Sequence, residues 1–409
     1  MRISTSMQYK ANLAYIQKAN SAVDEAAQAY NSGYKFTTAG EDPSGMASKI
    51  KYEASISAYD QYAKSAALAA DSLAEEETAL SAMWTTLASI HTLVIQAVDG
   101  TNDQSSLDAI AEEIEALRDQ LYDLMNTQNA EGEYIFSGSN TSIPTMTLTS
   151  EGTYTCQADG LTRSVQVAPN ITVQTSDSGL NIFQNCDLAH TVTNNNSDEC
   201  LVTISNYDNF DALFSKYYSV NGGDTDSGGT GSNTLTFTID ADTETFTVTD
   251  YTGTVIATGE IDEDGLLSYN GIDIQLNEDY ESGDISITFD RPEEDNILNQ
   301  LTELVSILRD EDLSSAERTD KLSSLEVTIT NAMEQYDLYL GRVGARESNL
   351  DTVLASNESL SDIKTESMAN ICEIDAFEAA SDLLLAQNAL EVSQQIYSMI
   401  NKTSLFDYI

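Results

Sequence analysis

The sequence is 409 residues long and 41% hydrophobic, with 67 acidic side chains against 18 basic ones and a formal net charge of −49. That length allows two or three domains with cores of their own, and that charge excludes nucleic acid and anionic membrane surfaces as partners, since both would repel it. No stretch reaches the roughly 20 uninterrupted apolar residues of a membrane span, and the start, MRISTSMQYKANLAYIQ, lacks the apolar core of a cleavable secretory signal.

In chain order, Tyr9, Leu13, Ile16, Val23 and Tyr30 form an apolar seam at helical spacing and predict a first helix. Gly33 is placed to cap its C-terminus, and Asp42 followed by Pro43 reads as the N-cap and first residue of the next. Gly33, Gly40 and Gly45 match neither GxxxxGK nor GxGxxG, which argues against a phosphate cradle and for a joint between two helices. Leu73, Leu80, Leu87 and Val94 then step by sevens, with Met83, Ile90 and Val98 between them. Trp84 is expected in the core of this helix, and His91 as a packed or surface helix residue rather than a base. A turn at Asp99 to Ser106 ends the run, with an N-cap expected at Ser105 or Ser106. Leu107, Ile110, Ile114, Leu117, Leu121 and Leu124 continue it.

From about Thr145 to Phe289 the pattern changes to short Thr-, Val- and Ile-rich alternations such as TLTFTID, ETFTVTD and GDISITF, which predict strands. One helical piece is expected at Asp208 to Tyr218, beside a glycine-rich loop at Asn221 to Ser232. Arg163 and Lys216 are the only basic residues between Arg118 and Arg291, so this region is read as a solvated acidic surface. Asp224 with Asp226, and Asp262 to Gly265, look faintly like calcium loops but lack the spacing of one. Cys156, Cys186 and Cys200 form no C-x-x-C pair and leave a disulfide among themselves open, while Cys372 reads as a small buried hydrophobe. His190 lies in a Thr/Asn-rich loop with no nucleophile motif nearby.

After Pro292 the three-and-four rhythm resumes through Leu322, Leu325, Ile329, Met333, Tyr336, Leu340, Val343, Leu350 and Leu354. Leu385, Ala389, Val392, Ile396 and Met399 close the chain with another seam. Matching seams at both ends predict an α+β multidomain protein. The N- and C-terminal long helices would form a coiled-coil or bundle rod, with the acidic β-rich domain inserted at its tip.

At this point particular residues carry a likeness. YNSGYKFTTAGEDPSGMA, the start MRISTSM, the run LRDQLYDLMNTQNAEGEYIFSGSNT at Leu117 to Thr141 and the closing LAQNALEVSQQIYSMINKTSLFDYI resemble the bacterial flagellin family. Within it they are closer to the hook-associated proteins of the hook-filament junction than to filament flagellins. Residues 185–233 match no pattern of that family, and four cysteines depart from its habit.

The resemblance implies a structural adaptor between hook and filament, not an enzyme, with no cofactor and no metal. It implies export by the flagellar type III apparatus, an extracellular place in the flagellum, and assembly as a homo-oligomeric ring. The implied partners are hook-associated protein 1, flagellin, and an export chaperone on the C-terminal helix. Residues 1–42 and 367–409 would form the terminal assembly domain, 43–137 and 292–366 the helical rod, and 138–291 the outer domain. The assembly interface is expected at Ile3, Met7, Tyr9, Leu13, Ile16, Val23, Leu385, Val392, Ile396, Met399, Leu405 and Phe406. The interhelix joint is expected at Gly33, Asp42, Pro43 and Gly45, and the turn from rod to outer domain at Gly132, Tyr134, Phe136 and Gly138. Terminal helices rich in Ala, Ser, Asn and Gln bury little apolar area, so they are expected to be frayed in the free monomer and to order on assembly. The alternatives are a filament flagellin, or an adhesin or enzyme housed in the outer domain.

Overall fold

Proline, glycine and short polar caps set where the helices begin and end. In the computed structural model, which describes residues 5–98, 102–196, 200–222, 231–240, 243–277, 280 and 282–406, helix α1 runs over Thr5–Ser32 and stops at Gly33. Gly33 takes φ +73°, a left-handed conformation that L side chains resist. Helix α2, Pro43–Val98, opens with Asp42 Oδ1 accepting from the backbone N–H groups of Ser44 and Gly45 at 3.0 and 2.9 Å. Helix α3 covers Gln104–Met125, and its N-cap is Asp103 rather than Ser105 or Ser106. The Ser106 hydroxyl itself donates to Asp103 Oδ1 at 2.6 Å, so the carboxylate serves as the acceptor. Helices α4 (Tyr207–Tyr217), α5 (Ile297–Arg309), α6 (Ser315–Cys372) and α7 (Ala376–Phe406) follow.

The chain divides into two compact units. Met1–Ala67, Gln166–Thr172 and Leu350–Ile409 make one, and Leu68–Val165 with Val173–Asn349 make the other. In the first unit α1 lies along α7, and the two interhelix joints are tied by backbone hydrogen bonds. Lys35 N–H donates to Cys372 C=O at 2.7 Å and Ile374 N–H to Gly33 C=O at 3.0 Å.

In the second unit the heptad residues Leu73, Leu80, Met83, Leu87, Ile90 and Val94 of α2 are fully buried. Leu107, Ile110, Ile114 and Leu121 of α3, Leu298, Leu301, Leu304 and Leu308 of α5, and Leu322, Ile329, Tyr336 and Val343 of α6 are buried as well, and α3 lies along α5. At roughly 1.5–3 kcal/mol for each fully buried large apolar side chain, this stripe is what holds α2 in place. By length and composition α2 could cross a membrane, but its heptad stripe is spent on helix packing instead. Trp84 is exposed, against expectation: one position past the buried Met83, it is turned about 100° away from the stripe.

Among the described residues, the middle of the chain holds fourteen short strands. They are β1 (Met146–Leu148), β2 (Tyr154–Cys156), β3 (Ser164–Ala168), β4 (Ile171–Gln174), β5 (Cys186–Asp187), β6 (Val192–Asn194) and β7 (Cys200–Ile204). Beyond α4 come β8 (Thr234–Asp240), β9 (Thr245–Thr249), β10 (Val255–Glu260), β11 (Leu266–Tyr269), β12 (Ile272–Leu276), β13 (Gly283–Phe289) and β14 (Glu294–Asp295). A five-stranded antiparallel sheet of order β10-β9-β8-β13-β6 and a three-stranded one of order β11-β12-β7 share a core with α4. Phe210, Phe237, Phe246, Ile274, Ile285 and Phe289 lie at its centre. The alternation in TLTFTID places Leu235, Phe237 and Ile239 inward and the threonines outward, as period-two patterning requires. The chain enters and leaves this region at one place, because Val192 on β6 pairs with Phe289 on β13.

Candidate assembly interface

The first unit presents two amphipathic helices side by side. On α7 the residues Leu383, Ala386, Leu390, Ser393 and Tyr397 are half-buried and Ala379 is buried. Ile16, Ala19, Val23 and Ala26 are the half-buried stripe of α1, and the rings of Tyr9 and Tyr397 meet with centroids 5.6 Å apart. The seam expected for assembly on α7 is a second, separate stripe. Leu385, Val392, Ile396 and Met399 recur at helical spacing and remain 63%, 52%, 46% and 59% exposed. On α1, Met7, Tyr9 and Leu13 are exposed as well, while Ile16 and Val23 are half-buried. Ile3 lies outside the described residues. Leu405 and Phe406 belong to the backbone of α7, but their side chains fall outside the description too.

The joint residues meet closely. Gly45 packs beside Phe36 and Asp42, and a Cβ added there would come within 2.6 Å of the Phe36 ring. The Gly45 N–H and the Ser44 hydroxyl bonded to Asp42 hold its carboxyl below the usual range. Glu41, bonded by the Thr37 N–H and the Thr38 hydroxyl, is lowered in the same way.

At the turn toward the β region, Gly132 and Gly138 take φ of +79° and +74°. Gly138 sits against Asp159, whose carboxylate accepts from the Ser139 N–H and hydroxyl and from the Leu161 N–H. Phe136 is fully buried, edge-on to Phe183 at 5.1 Å, and Phe183 is in turn edge-on to Tyr336 of α6 at 5.9 Å. Tyr134 is half-buried and its N–H donates to Thr141 C=O. The four residues therefore form a turn anchored by one aromatic plug.

An ionic cluster inside the second unit has no counterpart in the sequence analysis. Glu76 Oε1 accepts from the Asp177 N–H at 2.9 Å, and Arg346 makes a two-pronged pair with the Asp177 carboxylate at 2.8 and 2.9 Å. Glu76 Oε2 is buried with no hydrogen-bond partner. Burial first, and the neighbouring Asp177 charge second, push the Glu76 carboxyl up to about 8. The signal was present in the sequence, since Glu76 occupies the seam position between Leu73 and Leu80.

The remaining chemistry-bearing residues are dispersed. Among the described residues no disulfide forms; Cys186, Cys200 and Cys372 are buried, and burial pushes the Cys186 thiol up to about 12. His91 Nε2 faces Glu326 at 3.5 Å across α2 and α6, and His190 stacks on Phe214 with Nδ1 2.8 Å from Asp211. Asp262 to Gly265 form a tight turn, with the Gly265 N–H on Asp262 C=O, and Asp224 and Asp226 lie outside the described residues.

Residues 3–141 match the bacterial flagellin N-terminal helical region. Over 141 residues it is 27% identical to the flagellar hook-associated protein 3 of Salmonella typhimurium, covering 34% of this chain and 44% of that one. Across the curated hook-associated relatives the matched segment spans only about half of their length, 44% and 54%. The fold extends further than the sequence match. A solved hook-associated protein-3 from Legionella pneumophila aligns with a TM-score of 0.61 at 18% identity, covering 79% of this chain and 98% of that one. The flagellar junction protein FlgL from the same organism gives 0.59 at 19% identity, with 80% and 99% covered. The chain therefore shares their architecture of long terminal helices around a β-rich middle region.

Proposed function

We propose that this chain is a structural adaptor of the bacterial flagellum, placed between hook and filament and carrying no catalysis. The observation that supports it most directly is the terminal helix pair, where α7 presents a second apolar stripe, Leu385 to Met399, that α1 does not cover. An exposed seam of that length is ordinarily an interface. The likeness to hook-associated and junction proteins supplies the place where such an interface would be used.

On this reading, residues 1–42 and 367–409 form the assembly domain, 43–137 and 292–366 the helical rod, and 138–291 the outer domain. The same α7 stripe would be held by an export chaperone before secretion by the type III apparatus, then by neighbouring subunits in a ring. Hook-associated protein 1 and flagellin would meet the ring on its two sides.

The reading is tested by deleting the gene and probing the culture medium. Immotile cells that keep their hooks and release unpolymerised flagellin are the expected result. Cells with normal filaments would overturn the adaptor role.

A further inference from the structure

A cleft of about 660 Å³ lies along α6 in the second unit. Glu334, Leu338, Tyr339 and Arg342 of α6 line one side, and Asp187 of β5, Glu294 of β14 and the adjoining Glu293 line the other. The two sides are fixed to each other, because the Asn331 side-chain amide donates to Asp187 C=O at 3.1 Å and that of Gln335 to Asn185 C=O at 3.2 Å. The cleft is therefore pre-formed, and its volume falls in the range of small-molecule sites, roughly 300–1,000 Å³.

Its charges are unbalanced. Asp187 and Glu294 are direct antiparallel partners, and like charges set opposite each other across a strand pair are destabilising. Glu293 and Glu334 add two more carboxylates, and all four are exposed and in no ion pair among the described residues. Asp211, also at the cleft, is engaged by His190. The guanidinium of Arg342 lies over the Tyr339 ring, 4.7 Å from its centroid, and is in no ion pair among the described residues either. Between these charges the lining is apolar: Leu338 is 53% exposed, and Val327, Leu188 and Pro292 stand with it. Tyr339 is only 8% exposed, yet its hydroxyl has no hydrogen-bond partner among the described residues. A phenol buried to that degree ordinarily bonds to something, and the cleft it lines is the place left for a partner.

That combination selects a chemistry. A divalent metal ion needs about six or more oxygens converged on one point, and among the described residues no group of three His, Cys, Asp or Glu side chains could hold one. A docked protein would need a face of about 800 Å² rather than one cleft. Carboxylates spread around apolar side chains and a phenol instead suit an extended cation whose charges are separated by methylene groups. We infer that this cleft binds an aliphatic polyamine. Its methylenes lie on Leu338 and Val327, its ammonium groups meet Asp187 and Glu294 on one side and Glu334 on the other, and one of them donates to the Tyr339 hydroxyl. Occupancy removes the repulsion between Asp187 and Glu294. The site goes beyond the adaptor reading and does not depend on it.

The test is calorimetric titration of the full-length chain with spermidine. A net charge of −49 attracts any polycation, so the titration is run at about 0.15 M salt, where diffuse attraction is screened. One saturable site per chain is expected. Glu294→Gln with Glu334→Gln is expected to weaken it by roughly tenfold or more, and Tyr339→Phe by about threefold. Glu112→Gln with Glu113→Gln removes the same charge from exposed positions on α3 and is expected to leave the affinity within about twofold. Leu338→Lys sets an ammonium group in the cleft and is expected to abolish binding. Circular dichroism checks the fold of each variant, and Glu294→Gln alone serves if the pair does not fold. The absence of a saturable site, or an equal loss in the α3 variant, would overturn the assignment. So would hexaamminecobalt(III) binding as tightly as spermidine, since it carries the same charge without methylenes. A trilysine peptide that binds where spermidine does not would overturn it in favour of a basic protein segment.

Discussion

Glu76 sits in an environment that opposes its charge. One of its oxygens is bonded to the Asp177 N–H, the other is buried without a partner, and the single guanidinium nearby is already paired with Asp177. The carboxyl therefore stays protonated in the fold up to about pH 8, against 4.5 for the free group. A raised folded-state value means that its contribution to stability is complete below pH 4.5 and is lost as pH climbs through 8. The contributed slope reaches at most about 1.4 kcal/mol per pH unit. Glu76→Gln keeps the shape and removes the titration. Urea unfolding at pH 5 and 8 is expected to show the variant gaining stability relative to wild type as pH rises. Equal changes in both proteins would refute the assignment. Gly45 makes a second prediction at this scale, through space rather than backbone freedom. A Cβ there meets Phe36 and Asp42, so Gly45→Ala should cost about 1–3 kcal/mol and loosen the joint, read as faster amide exchange at Lys35 and Ile374.

Among the elements, α1 and α7 contrast with α2. Every heptad position of α2 from Leu73 to Val94 is sealed, whereas Ala379 is the one described apolar side chain of α7 that is buried. Local opening follows buried contact, so amides of α1 and α7 are expected to exchange far faster in dilute monomer than those of residues 73–94, and to gain protection on association. Equal protection in the monomer would remove the argument for ordering on assembly. This contrast also explains what could be read in advance. The seven-residue steps in α2 and the period-two alternation in β8 announce themselves because each element buries one face against many neighbours. The joint at Gly33 and Asp42 to Gly45 was legible through its caps, which are local chemistry. Trp84 was misplaced because composition suggests burial while helical phase decides it. The Asp103 cap and the meeting of Glu76 and Arg346 at Asp177 depend on which of several polar groups meet, and that is set by tertiary geometry. The seam of α7 was visible, but its division into a half-buried and an open stripe required knowing where α1 lies.

For the whole molecule, the question is how far the acidic β region is separable from the helices. Its sheets and α4 enclose a core of their own, and the chain enters at Val192 and leaves at Phe289, which are direct antiparallel partners. Such partners have Cα atoms about 4.5–5.5 Å apart, a span that a two-residue Asn-Gly turn closes. Replacing residues 193–288 by that turn therefore asks little of the remaining fold. It also removes nineteen acidic side chains and one basic one, which lowers self-repulsion in the chain that is left. The losses include the stack of His190 on Phe214 and its contact with Asp211, the Thr193 hydroxyl on Asp290, and the bond from Ile204 N–H to the half-buried Asp320 of α6. Asp320, now raised by burial, would become solvated and return toward the ordinary carboxylate range, so no unpaired buried charge is left behind. The shortened chain is expected to keep its helical circular dichroism, unfold within a few degrees of the parent at low salt, and support motility when it replaces the full chain. Retained motility with lost surface attachment would assign the outer region an adhesive role. Loss of the helical signal would mean that the β region is needed to fold α6, and that its separate core does not make it a separate folding unit.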